Sequence, residues 1–393
     1  MHKIKKPTIS NIIMYRHIKK ISFILLILFT TISLNSCFFG KALIYQKANI
    51  DDYKIFNNRT IKAGNYQPWE KSKNYNKFKI NEKYTPDFKK FKTVAFVIIK
   101  DKKLLHEQYW LGYNENSLSN SFSMAKSFIS LLVGFAIDDG KIKNINQKVG
   151  DFIPEFSKGD NAKLTIKNLI TMSSGLNWKE SYGSPFTKTT QAYYGHNLKK
   201  LILKLKVTEE PGKEFKYLSG NTQLLALIVE KAVGKNISEY ISEKLWKPIG
   251  AKNDALWCLD KKNGTEKAYC CFNSNAKDFA RIGQFCLDKG KWNKKQLLSS
   301  NYITESFKPD TFLTFNNKPV NFYGYMWWMG NYKGHHITYA RGILGQYIFI
   351  IPDYNAIVVR LGHKRSKKRK MGVPADIFTY LDAAFDILQK NKS

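Results

Sequence analysis

The chain has 393 residues, 43% apolar and 14% aromatic, and its 64 lysines and arginines against 31 acidic side chains give a formal charge of +33. That length and apolar content exclude a disordered tail and support one large domain or two closely joined ones. The positive charge is spread over the whole sequence, is almost all lysine, and comes with no finger, basic-zipper or RNA-binding signature. It reads as a solvated surface attracted to anionic lipid or polymer, not as a nucleic-acid interface.

Residues 1–37 carry Lys3, Lys5, Lys6, Arg16, Lys19 and Lys20 and no acidic side chain. The apolar run over 21–34 has the length of a secretory h-region and is short for a membrane span. It ends in Leu34-Asn35-Ser36-Cys37, which resembles the lipobox of bacterial lipoproteins. The resemblance implies a signal peptide over 1–36, acylation of Cys37, and an exported, membrane-anchored protein. A plain signal peptide with an incidental cysteine is the competing reading, and a start at Met14 would leave a signal of ordinary length. Residues 37–87 are polar and aperiodic, as expected of a tether and an irregular segment resting on a main domain over 88–393.

Residues 93–100 and 104–110 are apolar runs flanking Asp101-Lys102-Lys103, and they predict a β-hairpin. The hairpin leads into the stretch 122–141, apolar on every side after its first turn, which predicts a helix buried in the protein centre. In a helix Ser123 and Lys126, three residues apart, share one face. A serine hydroxyl needs a neighbouring base to become a nucleophile, and a lysine acts as a base where its charge is destabilised. The free N–H groups and dipole of the first turn favour the negative charge an attacked carbonyl would develop. A capping serine with a solvated lysine gives the same spacing. The second copy, Ser274-Asn275-Ala276-Lys277, reads that way, opening an amphipathic helix over 275–287 with Asp278 and Arg281 on its polar side.

From about 141 to 310 helical signals dominate, at 164–173, 223–233 and 237–246, so a helical subdomain is expected there. Within it Tyr217-Leu218-Ser219-Gly220-Asn221 forms a polar loop before a helix. Its tyrosine is either a surface aromatic or a phenol placed to shuttle protons. Strands are predicted at 334–341, 345–352 and 355–362, and a last helix at 375–390. Glycines in Ala340-Arg341-Gly342-Ile343-Leu344-Gly345 would let a carbonyl approach the strand end, where the Ile343 N–H would be an oxyanion donor beside that of Ser123. The cluster over 363–370 reads as an exposed basic loop. The fold class is therefore α+β: a mainly antiparallel sheet built from distant segments, flanked by helices, with an inserted helical subdomain. Cys258, Cys270, Cys271 and Cys286 show no zinc spacing. Their pairing is open, although adjacent Cys270 and Cys271 are not expected to join each other.

The order Ser123-x-x-Lys126, Tyr217-x-Ser219, then a glycine-bearing strand resembles the serine β-lactamase and penicillin-binding-protein superfamily. It is most similar to the class C-like branch, in particular the 6-aminohexanoate-dimer hydrolase and esterase group. Met172-Ser173-Ser174-Gly175-Leu176, Lys277-Asp278-Phe279-Ala280-Arg281-Ile282-Gly283, Tyr323-Gly324-Tyr325-Met326-Trp327-Trp328 and Gly345-Gln346 add to the match. The resemblance implies Ser123 as acylated nucleophile, Lys126 as its activator, Tyr217 as proton carrier to the leaving group, and an oxyanion hole from the Ser123 and Ile343 amides. Two departures stand out. Ala340-Arg341-Gly342 replaces the superfamily's Lys-Thr-Gly or His-Thr-Gly, and Tyr217-x-Ser219 replaces Tyr-x-Asn. Ser219, Gly342, Arg341, Trp178 and Trp327 are the expected substrate-contacting residues, with Tyr182 and Trp328 as further aromatic candidates. The expectation is an exported serine hydrolase acting on a small amide or ester, without metal, cofactor or nucleic acid. A D-alanyl-D-alanine peptidase or β-lactamase, or a non-enzymatic penicillin-binding receptor, are the alternatives.

Overall fold

The computed structural model describes residues 17–24, 45, 47–182, 184, 186–314 and 316–391, so Cys37 and most of the expected signal peptide lie outside the described residues. Seven strands form the main sheet: β1 (Glu70–Lys71), β2 (Thr93–Lys100), β3 (Lys103–Tyr109), β4 (Trp328–Tyr332), β5 (His335–Gly342), β6 (Gln346–Ile351) and β7 (Ala356–Gly362). Their spatial order is β4-β5-β6-β7-β2-β3-β1. Every neighbouring pair is antiparallel except the two-residue edge strand β1, which runs parallel to β3.

Strands β6 and β7 are buried at every residue, which explains why they read as continuous runs of β-branched residues and not as alternation. Helices cover both faces. On one lies α3 (Ala276–Leu287), packed so closely through Gly283 that a Cβ there would come within 2.7 Å of Ile357. On the other lies α4 (Asp376–Lys390), whose Tyr380, Leu381 and Ala384 join Phe96, Tyr347 and Phe349 in a second apolar cluster. Two more helices form the body beside the sheet. The first, α1 (Ala125–Asp138), is buried from Ala125 to Ala136, and α2 (Ser219–Val233) packs on it and ends at Gly234 in the left-handed region, φ +71°.

Four expectations need correction. The middle of the chain is not only helical: Asn58–Ile61, Ala255–Cys258, Phe272–Ser274 and Ser119–Asn120 form a second, four-stranded sheet in that order. Its first strand comes from the segment expected to be irregular, and its last delivers the chain to Ser123. Ser274 is not a cap, because it ends a strand of that sheet and Asn275 accepts the Asp278 N–H instead. The polar side of α3 does not face water either. Asp278 and Arg281 are 0% and 1% exposed and pair at 3.1 Å, and Arg281 also donates to the Ile249 carbonyl at 3.1 Å. Enclosure on both sides forces these charges to satisfy each other. Finally, Cys270 and Cys271 are joined to each other, leaving Cys258 and Cys286 as buried thiols.

Candidate active site

The chain enters the site through a single turn, Phe122–Met124, wedged between the strand Ser119–Asn120 and α1. Phe122 sits at φ +44°, a region a large side chain adopts only when its surroundings impose it. Its N–H is held by the Asn120 side chain at 2.8 Å. Gly342, at the end of β5, is what admits the turn: a Cβ there would lie 2.3 Å from the Ser121 carbonyl oxygen. This glycine therefore makes room for protein backbone, and its absent side chain is not a space for substrate.

Lys126 lies one turn further on and is 1% exposed. Its Nζ is 3.3 Å from Ser123 Oγ, 3.1 Å from Ser219 Oγ and 2.9 Å from the Tyr269 carbonyl oxygen. The rings of Tyr217 and Tyr269 stand 5.2 and 5.4 Å from it, their faces the main neighbours of its charge. Burial brings the amine down to about 8, and the charge of Glu180 pulls weakly the other way. The Ser123 hydroxyl is close enough to the Tyr217 phenol to act on its protonation. Burial holds the Tyr217 phenol well above its ordinary range, while the Ser123 contact and Arg341 oppose it, so it stays protonated. Serine, lysine and tyrosine, expected from distant motifs, thus meet at one point.

The cleft in front of Ser123 encloses about 1260 Å³. Phe122, Ser123 and Ile343 form part of its lining, as do Tyr182, Tyr193 and Tyr269. The turn Ile343–Gly345 carries Leu344 at φ +62°. It is pinned by the buried Arg360, whose Nη1 donates to the Leu344 and Gly345 carbonyls at 3.0 and 2.7 Å. The amides of residues 123 and 343 therefore belong to two turns that both line the cleft.

The expected substrate-contacting residues fare differently. Ser219 is 1% exposed and stands behind the lysine. Trp178 is buried, donates from Nε1 to Glu180 at 2.9 Å, and has its ring against Gly220. Trp327 is fully buried, edge-on to Phe307 at 5.4 Å, and belongs to the core. Arg341 lies 3.6 Å over the ring of Trp328, which in turn packs on Tyr217 at 5.4 Å. Its charge acts on the Tyr217 phenol, opposing the effect of burial. Tyr182 is an exposed wall residue whose hydroxyl donates to Glu180.

Glu180 was not anticipated. Its carboxylate accepts from the Trp178 indole, the Tyr182 hydroxyl, the Ser219 N–H at 2.8 Å and the Ser219 hydroxyl at 2.8 Å. The signal in the sequence is an acid between two aromatics in a loop, Trp178-Lys179-Glu180-Ser181-Tyr182, which has no periodicity to single it out.

Comparison with known proteins gives a concordant picture. A family model described as Beta-lactamase matches residues 81–376. The chain is 25% identical over 287 residues to the 6-aminohexanoate-dimer hydrolase of Paenarthrobacter ureafaciens, covering 68% of this chain and 72% of that protein. It is 27% identical over 134 residues to protein flp of Staphylococcus aureus (strain MW2), a match limited to 33% of this chain and 26% of that one. A Bacillus anthracis protein provisionally assigned as a 6-aminohexanoate-dimer hydrolase superposes with a TM-score of 0.75 at 21% identity, covering 88% of this chain and 93% of that one. A family VIII carboxylesterase superposes with a TM-score of 0.62 at 15% identity, covering 81% and 99%. These structures share the mixed fold with its major antiparallel sheet and flanking helices, as the sequence resemblance implies.

Proposed function

Given that the chain belongs to the beta-lactamase family of serine hydrolases, we propose that it cleaves a small amide or ester through an acyl-enzyme on Ser123. The observation that carries this reading is the buried Lys126 amine, 3.3 Å from Ser123 Oγ and brought down to about 8, beside the Tyr217 phenol. Ser123 Oγ bonds to the substrate carbonyl carbon as its proton passes to Lys126. The carbonyl oxygen takes the negative charge between the amides of Ser123 and Ile343. Collapse of this intermediate breaks the bond to the amine or alcohol, which leaves with a proton delivered through Tyr217. Water then enters by the reverse proton route and releases the acid.

At the position of the superfamily's Lys-Thr-Gly, Arg341 is stacked on Trp328, which engages the one cation of that motif and supports an ester or amide over a β-lactam. Two of the relatives, a 6-aminohexanoate-dimer hydrolase and a carboxylesterase, support the same reading by their names. The cleft adds a preference of its own. Lys92, Lys364, Arg365 and Lys367 stand around it, no acidic residue is among its described lining, and none of the four forms an ion pair among the described residues. A substrate with an aromatic or apolar acyl part and a remote negative group would suit tyrosine walls and a cationic rim.

The test is steady-state hydrolysis of paired esters that differ only in a terminal carboxylate, with a simple penicillin in parallel. Turnover is expected for the esters. For the Lys364→Gln/Arg365→Gln variant, KM for the anionic ester should rise about tenfold, roughly 1.4 kcal/mol, with the neutral ester unaffected. Equal changes for both esters would remove the charge preference. A lasting acyl adduct with the penicillin, without turnover of any ester, would make the protein a penicillin-binding receptor instead.

The basic and then apolar start of the chain, ending in Leu34-Asn35-Ser36-Cys37, supports export and acylation of Cys37. In cells that process lipoproteins, the protein should fractionate with membranes and Cys37→Ala should not. Equal membrane retention of the variant would sink the anchor.

A further inference from the structure

We propose that Glu180 is a positioning residue that sets the direction of the hydrogen bonds around Lys126, taking the hydrogen of Ser219 so that the Ser219 oxygen must accept from the lysine. The inference rests on the proposed roles of Ser123 and Lys126. A neutral amine has two N–H groups and one lone pair, and only the lone pair makes it a base. The Tyr269 carbonyl, 2.9 Å away, can only accept and so takes one N–H. The Ser219 hydroxyl, 3.1 Å away, can donate or accept. If it donated, it would occupy the lone pair and silence the base.

Glu180 removes that ambiguity. An ionised carboxylate has no hydrogen to give. One of its oxygens is 2.8 Å from Ser219 Oγ and also receives the Tyr182 hydroxyl, and the other receives the Ser219 N–H at 2.8 Å and the Trp178 indole at 2.9 Å. All four bonds point toward Glu180. The Ser219 oxygen is left as an acceptor, both lysine N–H groups are engaged, and the lone pair faces Ser123 Oγ at 3.3 Å. The other groups facing the amine, the Tyr217 and Tyr269 rings, do not compete for the lone pair. Arg341 and Arg365 act on the Tyr217 phenol.

Glu180→Gln tests this with almost no change of shape. The Ser219 N–H and the Trp178 indole hold the amide oxygen where they now bond, which turns the amide NH₂ toward Ser219 and reverses its hydroxyl. Single-turnover acylation by an ester, followed across substrate concentration, is expected to fall about 10²-fold in rate with little change in the saturation constant. Ser219→Ala removes the hydroxyl that would occupy the lone pair, so its own loss should stay under about tenfold, and in the double variant it should relieve the Glu180→Gln defect to within about threefold of Ser219→Ala alone. Acylation by Glu180→Gln within about twofold of the unchanged protein, or losses that multiply in the double variant, would overturn the inference. Should Glu180→Gln not fold by near-UV circular dichroism, Glu180→Ala, which also frees the Ser219 hydroxyl, takes its place: a loss of more than about tenfold that Ser219→Ala relieves upholds the link, and one that Ser219→Ala leaves in place refutes it. Ser123→Ala in the same assay separates the two levels. If it still acylates, the proposed function fails; if it is dead while Glu180→Gln is fully active, only the role of Glu180 falls.

Discussion

Ser123→Ala is expected to lower ester hydrolysis by at least about 10⁴-fold, the scale seen when the nucleophile of a serine hydrolase is removed. The loss should be this large because no second hydroxyl replaces it. Ser219 Oγ is buried behind Lys126 and committed to Glu180, and Ser127 Oγ donates to the Met326 carbonyl at 2.7 Å. The fold should be untouched, since Ser123 is only part-buried and its neighbours Phe122 and Met124 carry the packing of the turn. Turnover of the alanine variant at more than a hundredth of the starting rate, with matched circular dichroism, would remove Ser123 from the mechanism.

Lys126→Met should cost about 10²–10⁴-fold in acylation, the range for loss of a positioned general base. It should also erase a pH dependence. The working form is the neutral amine, so kcat/KM should climb with rising pH and level off above about 8, where Lys126 has given up its proton. The phenol of Tyr217, held above its ordinary range by burial, stays protonated across this interval and adds no opposing limb. Methionine has nearly the length of the lysine stem and no charge to bury, so the variant should unfold at no lower temperature than the parent. Lost stability together with lost activity would mean that the lysine serves the fold. An unchanged rise toward pH 8 in Lys126→Met would assign that titration to another group.

These two residues were legible because their chemistry coincides with periodicity. Three-residue spacing at the head of an all-apolar helix puts Ser123 and Lys126 on one face and dries them. The strands from Thr93 to Tyr109 and from His335 to Gly362 were equally visible, as runs of Val, Ile, Phe and Tyr broken by short turns. Tyr217 has only a weak local signal, a polar loop ahead of a helix, and its role was specified through resemblance to a family.

What the sequence hid is where polarity is buried. Asp278 and Arg281 lie on the polar side of an amphipathic pattern, yet that side meets other protein. The pattern reports which residues need polar partners, not whether the partner is water. Trp178 and Trp327 were natural candidates for a cleft wall, but a large ring near a site finds more contact inside than at a surface. Glu180 was invisible for the opposite reason. Its importance lies entirely in four donors brought by Trp178, Tyr182 and Ser219, and the last of these is 39 residues away in the chain. Likewise the close approach of Gly342 to Ser121 joins two ends of the protein that no local pattern relates.

The most direct test of the account is to quench the reaction with a slowly hydrolysed activated ester in acid and locate the bound acyl group by peptide fragmentation. The account predicts one acyl mass per chain on Ser123, forming faster as pH rises toward 8 and absent from Ser123→Ala. An acyl group on any other side chain, or product formed by a protein in which Ser123 is never modified, would contradict it.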